Sequence, residues 1–323
     1  MKKTKNTLFQ NYQFFNWRVL ILIATVCIYL FLFDSWVIKD NFFVTYGRDY
    51  FAYWSAGTIA DQKGYSEIYN LDSLRSVQTL KLKSLGVSKE TYDYSTRIFP
   101  VAYFSAFVIP FQILSRFDLV LGYWLWAILN LIVLVGYLVF FTRKILPNSD
   151  AKMPVLKMLI LTLLSYSVFN NFMIGQIEVF LLVCTGEFLR NALRKKPVLS
   201  GLWLGGLLIK PQVLILIIPV IFLLRNWKVF LGFAESCGMI LVTSLALSGF
   251  DGLKTLVNLW TRYPVSIATG APEAMINWRM VGLNLNTLLN TSLGWIFTVL
   301  GSILTLLAVY FLIKNIPPIG SPA

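Results

Sequence analysis

Histidine is absent from this chain of 323 residues. Its absence removes the commonest general base, the commonest pH switch near neutrality and the usual ligand of zinc and haem sites. Any acid–base chemistry therefore rests on carboxylates, tyrosine or lysine. Cysteine is scarce as well, and its three copies, Cys27, Cys184 and Cys237, all lie within apolar segments. This pattern argues against a disulfide framework and against a cysteine-based metal site.

Charged residues are also few, at 13% of the chain. Soluble domains carry about a quarter. Hydrophobic residues make up 57% and mean hydropathy is +0.69, values typical of an all-α polytopic membrane protein. The net charge of +13 comes from basic residues in short runs beside apolar segments, at 2–5, 143–144, 190–196 and 225–228. Such runs mark cytoplasmic loops, so they argue against nucleic-acid binding.

Eight apolar segments have lengths at or near those needed to cross a bilayer. They are residues 19–38, 99–114, 119–141, 155–172, 177–193, 198–224, 229–248 and 293–313. Basic residues precede the first segment and no acid occurs before Asp34, which predicts a retained anchor with a cytoplasmic N-terminus. We expect a multi-pass protein of the plasma membrane, folded as a single domain over residues 1–323.

One crossing per segment would place the basic loop at 190–196 outside. The conflict disappears if 99–114 dips in and returns, and if 198–224 is a hairpin bent at Lys210-Pro211. Four features then converge on the outer side of the membrane. They are the outer loop 39–98, the turn Gly175-Gln176, the bend at Lys210 and the outer loop 249–290.

Lys210 lies in the middle of an apolar run, where a lone cation is costly. Pro211 follows and breaks a helix, and Gln212 adds a second polar group. Irregular backbone at membrane depth lines a cavity, so this break predicts a substrate or ion site. We expect Lys210 to lack a partner when the site is empty. A lysine that reaches the interface from a helix end is the alternative.

The outer loop 39–98 holds seven of the fifteen acids in the chain, and Asp49 lies near its start. Tyr50, Tyr53, Trp54 and Gly57 follow at helical spacing, which predicts an amphipathic helix on the membrane surface. An interfacial aromatic belt is the simpler explanation of the rings. In the absence of histidine, Asp49 is a natural general base for a hydroxyl nucleophile. A helix N-cap is its structural alternative.

A phosphate leaving group would need cations on the same face. Lys210, Arg97 and Arg279 are available there.

A set of short motifs runs through most of the chain in a fixed order. The motifs are Asp49-Tyr50-x-x-Tyr53-Trp54-x-Ala56-Gly57, Tyr65 with Ile68-Tyr69, Phe99-Pro100, Gly175-Gln176, Gly201-x-x-x-Gly205 before Lys210-Pro211-Gln212, and Asn277-Trp278-Arg279. The set resembles glycosyltransferase family 87, the polyprenyl-phosphate-mannose-dependent mannosyltransferases of the GT-C superfamily. Val101 stands where the family commonly has a second proline, and Glu178 where it commonly has asparagine.

The resemblance implies a GT-C-like bundle of about 8–10 membrane helices, some of them short or re-entrant. It implies inverting transfer of a hexose, mannose by family, from a polyprenyl-phosphate sugar to a lipid or glycan acceptor. Asp49 takes the role of base, and Lys210 and Arg279 bind the donor phosphate. No cofactor or metal is expected. The full set of expected substrate-binding residues is Arg48, Tyr50, Tyr53, Trp54, Arg97, Gln176, Lys210, Gln212, Asn277 and Arg279.

Two other classes of function fit parts of this pattern. A transporter or flippase of lipid-linked anionic substrates would also use an intramembrane lysine and broken helices. No internal repeat is visible, which argues against it. In a non-catalytic assembly partner, Asp49 and Lys210 would only pair with each other. No glycine-rich nucleotide-binding element and no Asp-x-Asp pair in an outer segment occur, which disfavours a nucleotide-sugar donor.

Overall fold

The computed structural model describes residues 20, 23–24, 27, 42–90, 92–93, 98–144, 155–210, 213, 221, 226–262 and 278–314. All the regular structure in these ranges is helical, with no strand. The all-α fold expected from the composition is therefore confirmed. The anchor expected at 19–38 lies almost entirely outside the described residues.

Twelve α-helices occur in the described ranges, and we number them in chain order. They are α1 (Phe42–Thr45), α2 (Arg48–Lys63), α3 (Leu71–Ser84), α4 (Ile109–Leu114), α5 (Leu119–Lys144), α6 (Val155–Leu163), α7 (Tyr166–Ile174), α8 (Glu178–Leu193), α9 (Pro197–Gly205), α10 (Trp227–Arg262), α11 (Trp278–Leu289) and α12 (Gly294–Lys314). Short 3₁₀ turns lie at Tyr65–Glu67, Ser105–Val108 and Gly206–Ile209.

Two of these helices, α5 and α10, are long and apolar enough to cross a membrane. They contain the predicted spans 119–141 and 229–248. The predicted span 155–172 is instead a broken element, because α6 and α7 meet at a bend of 58°. Helix α10 is itself interrupted at Gly249, where φ is 68° and ψ is −179°. These helices confirm a membrane-spanning helical protein.

The two segments predicted to enter without a simple crossing are both irregular. Residues 99–114 contain only the turn Ser105–Val108 and the six-residue helix α4. Helix α9 continues as the turn Gly206–Ile209 and ends at Lys210, whose φ of −114° and ψ of 87° are not helical. The break before Pro211 is therefore confirmed. The second arm of the predicted hairpin lies outside the described residues, except for positions 213 and 221.

Helix α2 follows the predicted spacing but is not a surface helix. Its side chains are buried around the whole circumference from Tyr50 to Gly57. Helix α4 crosses it at Gly57, where a Cβ atom would collide with the backbone carbonyl of Phe111. The prediction of one free, membrane-facing side is therefore wrong for this stretch. The aromatic spacing suggested one exposed apolar face, but the aromatic rings on every side of α2 are buried against neighbouring segments of the protein.

Helix α9 packs closely against α10 through glycines. A Cβ at Gly201 would collide with the carbonyl of Val229, and one at Gly205 would meet Ser236. Gly232 of α10 approaches the backbone of Val198 in the same way. Small residues let two apolar helices approach to backbone contact. This packing fixes α9, and with it the position of Lys210 at the end of the following turn.

Candidate functional site

Asp49 lies in the first turn of α2, and its carboxylate faces the turn between α7 and α8. Gln176 Nε2 donates a hydrogen bond of 2.8 Å to Asp49 Oδ2. The N-cap of α2 is Gly47, and no side chain caps this helix end. The alternative role of Asp49 as a helix N-cap is therefore excluded. Its other oxygen, Oδ1, has no hydrogen-bond partner within the described part of the chain.

Gly175 lets the turn after α7 approach α2 closely, which places Gln176 beside Asp49. Helix α7 ends there in a left-handed conformation with φ 75°, and the amides of Gly175 and Gln176 both donate to the carbonyl of Asn171. A Cβ on Gly175 would lie 2.5 Å from Cβ of Tyr50. The turn thus touches α2 directly, one residue from Asp49.

Helix α5 fastens the same turn from its other side. The hydroxyl of Tyr123 donates to the carbonyl of Phe172 at 2.7 Å, and Trp126 Nε1 donates to the carbonyl of Gly175 at 3.0 Å. The indole of Trp126 also stacks on Phe180, with 5.5 Å between ring centroids. The Gly-Gln turn is thereby held on a rigid element, as a positioned hydrogen-bond donor requires.

Lys210 has an anionic partner, contrary to expectation. Its Nζ forms an ion pair with Oε1 of Glu178, in the first turn of α8. An ionised group in low-polarity surroundings is stable when it is paired, which explains how the cation is accommodated. The second carboxylate oxygen, Glu178 Oε2, is buried without a hydrogen-bond partner among the described residues.

The charged groups at this place form one electrostatic cluster. Burial raises the pKa of Asp49 above 3.8, the hydrogen bond from Gln176 lowers it, and the charge of Glu178 raises it again. The cations Lys210 and Arg48 lower it. Asp49 is therefore a stronger base than an exposed aspartate, yet two cations favour its ionised form.

Two tyrosines lie beside this cluster. The hydroxyl of Tyr53 donates to that of Tyr103 at 3.4 Å. Burial raises the pKa of both hydroxyls, and the charges of Asp49 and Glu178 raise both further, so the rings remain neutral donors. Tyr53 was an expected site residue, whereas Tyr103 was missed. The only signal for Tyr103 is its position just after the Phe99-Pro100 motif.

The structure places Tyr50 and Trp54 on a different side of α2 from Asp49. The Tyr50 ring is fully buried and packs edge-on against Tyr123 at 5.6 Å. Trp54 Nε1 donates to the carbonyl of Phe117 at 3.2 Å, and Lys81 lies over its ring. These contacts hold α2 in place and do not bring either ring to the carboxylate.

The remaining expected residues differ in how far they are described. Arg48 is half-buried next to Asp49 and acts on its charge. Arg97, Gln212 and Asn277 lie outside the described residues, and Arg279 is described only as part of the α11 backbone. The described residues contain no group of three or more acidic or cysteine side chains that could hold a metal ion.

The geometry brings together a basic carboxylate, an amide that orients it and a cation whose charge acts on it, and one carboxylate oxygen has no hydrogen-bond partner among the described residues. Residues 101–318 match the protein family described as glycosyltransferase family 87. Gln176, Glu178 and Lys210 lie inside the matched range, and Asp49 precedes it. Comparisons with curated proteins and with solved structures find no match. Because the family match covers well over half of the chain, this membrane protein belongs to glycosyltransferase family 87.

Proposed function

We propose that the protein transfers a hexose, mannose by family resemblance, from a polyprenyl-phosphate sugar to a lipid or glycan acceptor at the outer face of the plasma membrane, with Asp49 as base. Family membership supplies the glycosyltransferase activity. The observation that carries the mechanism is the Asp49 carboxylate, which Gln176 orients through Oδ2 and whose Oδ1 accepts no hydrogen bond from the described residues. A base needs this combination of fixed orientation and an open lone pair.

In the proposed step, Asp49 Oδ1 takes the proton of the acceptor hydroxyl. The hydroxyl oxygen attacks the anomeric carbon from the side opposite the phosphate, which inverts the configuration. The carbon–oxygen bond to the phosphate breaks, and its electron pair stays on the phosphate oxygen. Burial supports this role because it raises the pKa of Asp49 and so strengthens the base.

Lys210 is the cation proposed to stabilise the departing phosphate. It ends a 3₁₀ turn that the α9–α10 packing holds in place, and its charge acts on Asp49. A positioned cation is worth most where negative charge develops in the transition state. Arg279 remains a proposed phosphate contact by the sequence resemblance, and Arg97 by its predicted position on the same face of the membrane.

The proposed topology puts Asp49, Gln176 and Lys210 on the side opposite the N-terminus. Their meeting at one place supports a common side for all three. Asp61→Cys and Asn148→Cys can be compared in intact cells with an impermeant thiol reagent, and the unsubstituted protein gives the background from its own cysteines. Labelling at position 61 and not at 148 is expected. The opposite pattern would overturn the orientation.

The decisive test of the activity is transfer by the purified protein in lipid vesicles. A panel of radiolabelled polyprenyl-phosphate hexoses is incubated with membrane lipid extract as acceptor, and the anomeric configuration of the product is determined. We expect transfer from the mannosyl donor with inversion, and a much slower transfer by the Asp49→Asn protein. Movement of intact donor across the vesicle membrane without transfer would show a flippase instead.

A further inference from the structure

The ion pair between Lys210 and Glu178 joins two separate elements of the site. Glu178 begins α8, and Lys210 follows the turn after α9, 32 residues further along the chain. Only Oε1 of the carboxylate contacts the ammonium group, while Oε2 is buried without a partner among the described residues. Both side chains also keep part of their surface exposed, at 25% for Lys210 and 37% for Glu178. A pair of this kind can exchange partners.

Glu178 keeps a favourable position even when Lys210 turns to another anion. The start of α8 carries the positive end of the helix dipole, and a carboxylate in the first turn is stabilised there. The amide of Glu178 donates to Asn171 Oδ1 at 3.2 Å, which fixes this helix end. The negative charge therefore stays next to any phosphate bound at Lys210.

Among the residues that the structure describes, the anions and cations of this cluster are equal in number. Asp49 and Glu178 are the two anions, and Lys210 and Arg48 the two cations that act on Asp49. When Asp49 takes the proton of the acceptor, one negative charge is lost. The cluster then carries one net positive charge, and it would carry two without Glu178.

The ligand changes in the opposite direction during the reaction. A polyprenyl-phosphate sugar is a phosphodiester with a single negative charge. Its product, polyprenyl phosphate, is a monoester with a charge of about −1.5 to −2 at pH 7. A site dominated by cations binds the more anionic ligand better, so it would retain its own product.

From these observations we propose, on the basis of the proposed function, that Glu178 promotes release of polyprenyl phosphate by offsetting the charge of Lys210. The carboxylate repels a bound phosphate in proportion to the charge of that phosphate, so it weakens product binding more than donor binding. It also takes back the ammonium group as the product leaves. Glu178 is thus a positioning residue that sets which phosphate the site prefers.

The test compares the dissociation constant of the donor with that of polyprenyl phosphate in the same detergent. In Glu178→Gln the affinity for polyprenyl phosphate should increase relative to the donor by roughly fivefold or more, the effect of one unit charge near 4 Å in a water-like dielectric. Steady-state turnover should fall below the single-turnover rate, with a burst of product. Glu187→Gln is the matched control, because Glu187 lies in the same helix and pairs with Arg190.

The outcomes separate this inference from the proposed function. If Glu178→Gln weakens donor and product equally and slows the single turnover, Glu178 only holds Lys210 in place and the inference is wrong. An unchanged affinity ratio also overturns it. If the unsubstituted protein transfers no sugar from any polyprenyl-phosphate donor, the proposed function itself falls.

Discussion

Gln176 donates to Asp49 at 2.8 Å across 127 residues of sequence, and this bond joins the turn after α7 to the start of α2. The carboxylate is used in a tertiary contact and not in capping its own helix. This relationship makes substitutions at Asp49 informative, because a loss of activity cannot be attributed to a lost helix cap.

Asp49→Asn should reduce the single-turnover transfer rate by roughly 100-fold or more, the usual worth of a general base. The amide keeps the shape and can still accept from Gln176 through its oxygen, so donor affinity should change little. Rapid quenching of enzyme saturated with labelled donor measures the rate. A single-turnover rate within a few-fold of that of the unsubstituted protein would show that Asp49 is not the base.

The pH dependence should follow the charges around Asp49. Activity requires the ionised carboxylate, so kcat/KM should rise with pH through a pKa above 3.8. Glu178→Gln removes a charge that raises this pKa and should move the acid limb to lower pH. Lys210→Met removes a charge that lowers this pKa. Because this variant has no turnover, its Asp49 carboxyl is titrated by infrared difference spectroscopy against Asp49→Asn, and its pKa should move upward. Shifts in the same direction would contradict the charge cluster.

The raised pKa has a defined effect on stability as well. The folded protein holds the Asp49 proton more tightly than the unfolded chain, so this group stabilises the fold at low pH. That contribution is lost as pH rises through the folded pKa. At a pH above the raised pKa of Asp49, the Asp49→Asn protein should therefore melt at a higher temperature than the unsubstituted protein. At a pH below 3.8, the ordinary pKa of an aspartate, this advantage should disappear. Thermal denaturation in detergent at several pH values measures it.

Gly175→Ala should lower both stability and activity. The left-handed conformation costs an alanine about 1–2 kcal/mol, and its methyl group would also meet Tyr50. Gly86→Ala is the matched control, because φ is 76° there and nothing lies within 4 Å of the added Cβ. Equal losses of activity in the two variants would show that the Gly175 contact does not position Gln176.

Gly201→Ala should separate α9 from α10 and displace Lys210. Overpacking of this kind costs about 1–3 kcal/mol. Gly238→Ala, on α10 with open space around it, should be neutral or stabilising, because alanine is the better helix former. Donor affinity and melting temperature of the two variants provide the comparison, and a normal donor affinity in Gly201→Ala would contradict the proposed link.

Lys210→Met should abolish donor turnover and also destabilise the protein, because it leaves the Glu178 carboxylate without its cation. Adding Glu178→Leu should restore the melting temperature but not the activity. Thermal denaturation of the single and double variants measures this coupling. A single variant as stable as the unsubstituted protein would show that the ion pair contributes little.

The sequence predicted the helical class, and it predicted that Asp49, Gln176 and Lys210 lie on one side of the membrane because they stand at breaks between apolar segments. The structure brings the three into one charge cluster, while their common side stays a prediction. The sequence did not predict the ion pair of Glu178. That residue was seen as a departure from the family pattern, but the partner of a charge across two helices depends on their packing. The burial of α2 was missed for the same reason, since aromatic residues at helical spacing suit a core and a membrane surface equally.

The 127 residues between Asp49 and Gln176 also delay the formation of this hydrogen bond during synthesis of the chain. At a synthesis rate of about 5–20 residues per second, α2 waits roughly 6–25 seconds for the amide that will orient its carboxylate. During that interval α4 and α5 are synthesised and can cover the aromatic side chains of α2, but the turn after α7 has not yet been made. A nascent chain stopped before residue 176 therefore lacks the amide that orients Asp49, although α4 and α5 are already present beside α2.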